Sequence, residues 1–319
     1  MYALKDVTVI IPTYNRVEDL RETLSSFKER IASLCEVLVI DQSKNRDTRQ
    51  LVASMKNKKI IYFHSDVASL TAARNIGIRK TSPKSKIVLF LDDDISLGKN
   101  YFDEILRVFN ENSDALGVSG YYLSSGVKMG KFEKSLRRIF CIEHKSRNDA
   151  RVLSAYGAVY PATLNGTINA EWLTGFNMAF KREVFEKEMF DENLSQYALG
   201  EDFDFSYRIH LMRPNSLYIT PYANLVHRVS TVERVPTRKI SYMNQIYHFY
   251  FNFKNFNRTI GQKVGFAWTI FGITILRAMQ FATHPTHNEN LRWRYYLASL
   301  LYCLVNLNKI RKGKLIIPE

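Results

Sequence analysis

Apolar and polar positions alternate in blocks along the first hundred residues. Val7–Ile11 is an apolar run closed by Pro12, and Val37–Ile40 is a second, ending in Asp41. Lys59–Phe63 and Lys86–Leu91 repeat the pattern, and Ala115–Ser119 adds a fifth. Short runs rich in Val, Ile and Leu read as buried parallel strands. Between them Val17, Leu20, Leu24 and Phe27 fall at helical spacing. Thr48–Met55, Ser69–Arg79 and Tyr101–Phe109 predict further helices. Strand and helix in strict alternation predict right-handed βαβ units and a mostly parallel sheet with helices on both faces. From Gly120 to about Glu171 the period fades, and irregular structure is expected, a flap over the sheet edge with pocket walls from Gly120–Gly166. Order returns at Glu171–Phe180 and Gly200–Leu211.

After His227 the pattern changes. Tyr242–Phe256 interleaves aromatic and basic residues, and two apolar runs follow, Val264–Leu276 and Tyr295–Leu307. Each is about 13 residues, ~20 Å as helix, against a hydrocarbon core of ~30 Å. Charge follows the same division. Arg228–Glu319 holds 14 Lys or Arg against three Glu, +11 of the net +14, so the rest of the chain carries only +3. A boundary near residue 230 is expected, with a catalytic domain over 1–230 and a helical extension over 231–319. Short apolar helices with basic flanks suit attachment to an anionic membrane surface without crossing it. The bland alternative is a helical subdomain packed on the first domain. Cys35, Cys141 and Cys303 show no paired or metal-type spacing, which points to a reducing compartment. The opening MYALKDVTVIIPTYNR has no signal-peptide pattern.

The chemistry concentrates where predicted strands end, the edge at which open α/β sheets bind ligands. Lys86–Ile95 reads KIVLFLDDDI, a buried strand running into Asp92, Asp93 and Asp94. Three adjacent carboxylates repel one another unless a cation neutralises them, and oxygen ligands suit Mg²⁺ or Mn²⁺. Pro12, Thr13, Tyr14, Asn15 and Arg16 follow the first strand, where a nucleotide base can lodge. Asp41 ends the second, placed to accept a base N–H or a ribose hydroxyl, or simply to cap a helix. Arg74 and Asn75 lie in TAARNIG, and a guanidinium there can neutralise phosphate oxygens. Downstream come Gly175, Phe176 and Asn177 in LTGFNMAFKR, then Glu201 and Asp202 in GEDFDFSYR. Adjacent acids at a helix start offer a general base, or merely favourable charge on the helix dipole. His227 follows another apolar run and can cap the end of a strand.

Together IIPTYNR, VIDQS, TAARNIG, LFLDDDI, LTGFNMAFKR and GEDFDFSYR resemble the inverting, family-two nucleotide-sugar glycosyltransferases with the GT-A fold, over roughly residues 5–230. The resemblance implies a Rossmann-like GT-A sheet and transfer from a nucleoside-diphosphate sugar to a hydroxyl acceptor. It implies that Tyr14 and Asp41 flank the base, Asp92 and Asp93 lie near ribose and phosphate, and Asp94 ligates Mn²⁺ or Mg²⁺, with His227 as a candidate further ligand beside the strand-cap reading. It makes Asp202 the base, with Glu201 holding the acceptor. Gln42 departs from the pattern, where the family often carries Asp, Asn or Gly. The basic extension makes a saccharide or lipid-linked saccharide the expected acceptor, on the inner face of the cytoplasmic membrane. Two other readings stay open: a nucleotidyltransferase, which lacks here a Gly-rich or Lys-lined triphosphate loop, and a non-catalytic nucleotide-binding protein. Nucleic acid is not expected as a partner, because the basic tail carries no recognition motif.

Overall fold

A computed structural model describes residues 1–122, 130–143, 149–232, 235–256 and 259–318. Along the chain the first elements are β1 (Val7–Thr13), α1 (Val17–Ser26), α2 (Lys28–Ile31), β2 (Glu36–Asp41), α3 (Asp47–Ser54) and β3 (Ile60–His64). Next come α4 (Leu70–Lys80), β4 (Ile87–Leu91), β5 (Ile95–Leu97), α5 (Tyr101–Glu111) and β6 (Gly117–Gly120). The middle holds α6 (Lys131–Ile139), β7 (Arg151–Leu153), β8 (Gly157–Val159), β9 (Ile168–Ala170) and β10 (Asn177–Lys181). Then follow α7 (Glu201–Met212), β11 (Leu217–Thr220), β12 (Leu225–His227), α8 (Thr237–Asn255), α9 (Ile260–Thr283), α10 (His287–Val305) and α11 (Leu307–Arg311).

The chain divides into two compact units. The first, residues 1–124 and 163–234, is built on an eight-stranded sheet of order β3-β2-β1-β4-β10-β6-β11-β9. Pairing is parallel through β3, β2, β1 and β4 and again between β6 and β11. The strands β10 and β9 run against the rest. This is the mostly parallel α/β sheet expected. Every residue of β1, β2, β4 and β10 is buried, so both faces are covered, which is why these strands read as continuous apolar runs rather than alternating ones. Pro12 does not close β1. Pairing with β4 ends at Ile10, so at Pro12 and Thr13 only the β2 side is still paired. A residue without an N–H is tolerated where the ladder has already opened on one side.

The second unit, residues 125–162 and 235–319, holds α6, β7, β8 and α8–α11. The division is therefore not a single cut near 230. Segment 125–162, expected as a flap, clusters with the C-terminal helices and contains the helix α6, although 123–129 and 144–148 lie outside the described residues. In this unit α8 packs on α10, α11 and β8, and α9 packs on α10 and α6. The run Val264–Leu276 sits inside the longer α9, whereas Tyr295–Leu307 runs past the end of α10 at Val305 and finishes at Leu307, the first residue of α11. A Thr259–Gln262 capping box starts α9, and the Thr286 side chain caps α10. By length and composition, α9 is long and apolar enough to cross a membrane.

Candidate active site

The site is assembled at the C-terminal edge of the first unit's sheet. Where β4 ends, the chain turns before β5, and the three aspartates diverge around that turn. Asp92 stays partly open, with its side chain 32% exposed. Asp93 turns inward. It accepts a hydrogen bond from the Thr13 hydroxyl at 2.8 Å and pairs with Arg16 at 3.3 Å. Burial pushes the Asp93 carboxyl up to about 7, against the pull of Arg16 and Thr13. Thr13 and Arg16 thus brace the acidic turn. Thr23 ties the same turn to α1: its hydroxyl donates to the Asp93 carbonyl and accepts from the Ile95 N–H.

Asp94 meets residues far away in sequence. Its Oδ2 accepts from the Ser230 N–H at 2.8 Å, and its Oδ1 lies 3.1 Å from His227 Nε2. Antiparallel pairing of β12 with β5 sets this, since it puts His227 opposite Ile95. Burial would raise the Asp94 carboxyl, but His227 and the Ser230 N–H outweigh it and hold it low. Asp92, Asp94 and His227 each offer a ligand atom, all within 4.8 Å of one another. Asp94 Oδ1 is buried and faces the His227 imidazole. Adjacent ligands of an octahedral cation at ~2.1 Å stand about 3 Å apart, the separation of this oxygen from the imidazole nitrogen. Two carboxylates and one imidazole form a donor set that fits a divalent cation. Phe176 and Tyr122 wall the imidazole, with ring centroids 4.8 and 6.0 Å from it.

Arg74 joins this cluster to the acids of α7. The guanidinium is fully buried, 5.3 Å from the Phe190 ring centroid. One nitrogen pairs with Glu201; another reaches Asp92 at 3.3 Å and donates to the Gly175 carbonyl at 3.0 Å. Burial, then the neighbouring Asp202, raises the Glu201 carboxyl. Asp202 is held by backbone N–H groups of Gly175 and Phe203, each at 2.8 Å, and burial raises its carboxyl too. Gly175 lets the backbone come close here: a Cβ would stand 3.0 Å from Asp202 Cβ and 3.1 Å from both Arg74 Nη2 and Glu201 Oε1. The third acid of α7's first turn, Asp204, pairs one turn further along with Arg208 at 3.2 Å.

Other expected site residues lie inside the walls. Asp41 is fully buried, accepting from the Ser43 N–H at 2.9 Å and the Tyr62 hydroxyl at 3.0 Å. Asn15 adopts a left-handed φ of 54°, which Asn tolerates, and its N–H donates to Ser43. Tyr14 beside it is half-buried. Gln42 donates to the carbonyls of Val67 and Ser69, so the unusual residue pins a loop. Asn75 is bonded to Phe190 and Glu192. Asn177 accepts from the Gly120 N–H and the Tyr101 hydroxyl and is fully buried. Residues that local sequence could not single out are Thr23, Tyr62 and Tyr122; their partners are 21 or more positions away and nothing in their flanks marks them.

Comparison with known proteins finds glycosyltransferases among this chain's relatives and structural neighbours. The chain is 28% identical over 123 residues to the poly(ribitol-phosphate) beta-N-acetylglucosaminyltransferase TarP of Staphylococcus aureus (strain N315), covering 37% of each chain. It spans only 16% to 37% of the length of curated relatives from Rickettsia bellii, Streptococcus pneumoniae and Staphylococcus aureus. Its fold matches a crystal structure of S. aureus TarS in complex with UDP-GlcNAc, with TM-score 0.56 and 13% identity over 97% of this chain and 88% of that one. It also matches the mannosyltransferase PcManGT of Pyrobaculum calidifontis in complex with GDP-Man and Mn²⁺, with TM-score 0.52 and 16% identity over 94% and 86%. The family model for Glycosyl transferase family 2 matches residues 8–188, more than half of the chain and the whole stretch from β1 through the acidic turn to β10, and the protein is a GT-A-fold member of that family.

Proposed function

We propose that this chain transfers a sugar from a nucleoside-diphosphate sugar to a hydroxyl of a saccharide or lipid-linked saccharide, with inversion at the anomeric carbon and dependence on Mn²⁺ or Mg²⁺. The observation that carries this reading is the convergence of Asp92, Asp94 and His227 beside Glu201 and Asp202, bridged by Arg74. Asp92, Asp94 and His227 are the proposed ligands. A divalent cation there supplies positive charge for the diphosphate leaving group. Its imidazole favours Mn²⁺ over Mg²⁺ among the two.

The chain's own groups divide the remaining work. Asp202 takes the proton from the acceptor hydroxyl as its oxygen attacks the anomeric carbon. The bond from that carbon to the diphosphate oxygen breaks, and its electron pair leaves with the diphosphate. A carboxyl whose pKa is raised by burial is a stronger base than an exposed one, which suits this step. Glu201, gripped by Arg74, lies on the acceptor side and keeps the Asp202 turn in place. Tyr14 and the loop held by Asp41 receive the base; Arg16, Asp93 and Thr13 keep the acidic turn rigid. Asn75, Asn177 and Phe176 hold the walls. The polymer in the name of the poly(ribitol-phosphate) beta-N-acetylglucosaminyltransferase TarP supports a polysaccharide or its lipid-linked precursor as acceptor. The exposed apolar and basic surface of the second unit supports a cytoplasmic enzyme attached peripherally to the inner face of the cytoplasmic membrane.

Calorimetric titration of UDP-, GDP- and dTDP-sugars with and without Mn²⁺ tests the donor site. One donor class should bind, and Asp94→Asn should weaken its metal-dependent binding by at least about tenfold with an unchanged melting temperature. Equal affinity with and without metal, in wild type and variant alike, removes the metal from the reading.

A further inference from the structure

We propose that α6 and α9 together form a face that lies flat on an anionic lipid surface, so that the inserted segment 125–162, and not the C-terminal tail alone, anchors the enzyme. This rests on the peripheral attachment proposed above and assigns it to residues. On α9, Ile260, Val264, Trp268 and Phe271 are spaced by four, four and three positions, which puts them on one side of the helix. They are 80%, 63%, 45% and 53% exposed. The opposite side, Phe266, Thr269, Ile270 and Gly272, is buried in the unit.

Helix α6 extends this stripe. Phe132, Leu136 and Ile139 share one side, and Phe132 and Ile139 are 67% and 58% exposed. Lys131, Lys134, Arg137 and Arg138 supply the charge. The C-terminal end of α6 is stapled to α9, at the stripe residue Trp268 and at its buried neighbour Thr269. The Trp268 indole donates to the Ile139 carbonyl at 2.9 Å, and the Thr269 hydroxyl donates to the Phe140 carbonyl at 2.8 Å. The Phe140 ring packs 5.1 Å from Trp268 and 6.0 Å from Phe271, over Gly272, where a Cβ would fall 2.1 Å from it. The two apolar stripes therefore adjoin.

Charge selects the occupant. The segments 125–162 and 235–319 contain 20 Lys or Arg against five Asp or Glu, a net +15. The remainder of the chain contains 25 against 26, a net −1. A second copy on this face would set +15 against +15. A nucleic acid would meet the charge and leave the apolar stripe in water. An anionic bilayer surface takes both, with aromatic and aliphatic side chains below the headgroups and Lys and Arg among them. Crossing the bilayer would instead pull Phe266, Thr269, Ile270 and Gly272 off their packing and carry Lys263 and Arg277 towards hydrocarbon.

Vesicle flotation of the full chain tests this, using phosphatidylcholine vesicles with and without phosphatidylglycerol. The chain should float with the anionic vesicles and remain below with the neutral ones. Val264→Asp should abolish flotation. In α6, Lys131→Ala and Lys134→Ala should each weaken it about fivefold, and Phe132→Ser should weaken it further. All four positions are at least partly exposed, so melting temperature and donor binding should match wild type, and failure of the transferase reading would show separately as absent donor binding with flotation intact. Unchanged flotation in the α6 variants overturns the proposal, as does release from membranes by detergent alone. Concentration-dependent dimerisation abolished by Val264→Asp also overturns it, since the face would then be covered by a second copy.

Discussion

Single residues decide the chemistry through what surrounds them. Asp202 and Asp204 share one helical turn, yet one is fastened by Gly175 and Phe203 N–H groups at the site and the other pairs with Arg208. Asp202→Asn keeps the shape and removes the base, so turnover should fall by ~10²–10⁴ while donor affinity stays within error. Because burial raises the Asp202 carboxyl, activity should be lost as pH falls through that raised value. The acidic limb of the pH–rate profile should thus lie above the ordinary aspartate range. An active Asp202→Asn beside an inactive Glu201→Gln would move the role to Glu201. Arg74 shows the cost of such an arrangement. Its buried charge is tolerated only because Glu201 and Asp92 face it and aromatic rings flank it.

Among elements, α8 carries a second buried ionisable group. His248 packs against Phe266 of α9 and Tyr156 near β8, with ring centroids 5.3 and 6.1 Å away. Its Nε2 is sealed from solvent although the residue keeps some surface, and burial pushes the imidazole down to about 4. The unfolded chain takes up this proton near 6.5, whereas the folded chain resists until about 4. The unfolded state therefore binds more protons between those values, and stability falls as pH drops across them. The loss should approach ~3 kcal/mol and level off below pH 4. Urea denaturation at several pH values measures it, and His248→Phe should flatten that part of the curve. A slope unchanged by the substitution would place its cause elsewhere.

For the whole molecule, the division into a nearly neutral unit and a strongly basic one matters more than the net charge. The basic unit is discontinuous, so it cannot be removed by trimming the end. A chain stopped after residue 234 would keep Phe140 and Ile142, 7% and 3% exposed in the full chain, without the helix α9 that covers Phe140. That truncation should bind a hydrophobic dye strongly and aggregate on size-exclusion chromatography. A monodisperse product with the full chain's first melting transition would mean that 125–162 packs adequately alone.

The parallel strands and their helices were legible because each is a local pattern: a run of buried aliphatic residues or a 3.6-residue period, with carboxylates at the end of β4 and the start of α7. The acids that carry the candidate chemistry were legible for the same reason. Pro12 was not, since whether it ends a strand depends on which neighbour has stopped pairing. Nor was the place of α6, because the faded period between Gly120 and Glu171 hides a helix whose apolar side is too exposed and too short to stand out. The sequence by itself determined which residues bear charge and which strands are buried. Only the tertiary structure brought His227 and Ser230 to Asp94, Arg74 between Asp92 and Glu201, and segment 125–162 to the C-terminal helices. Those contacts join positions more than a hundred residues apart in most cases, and strand order and helix packing decide them, not any neighbour along the chain.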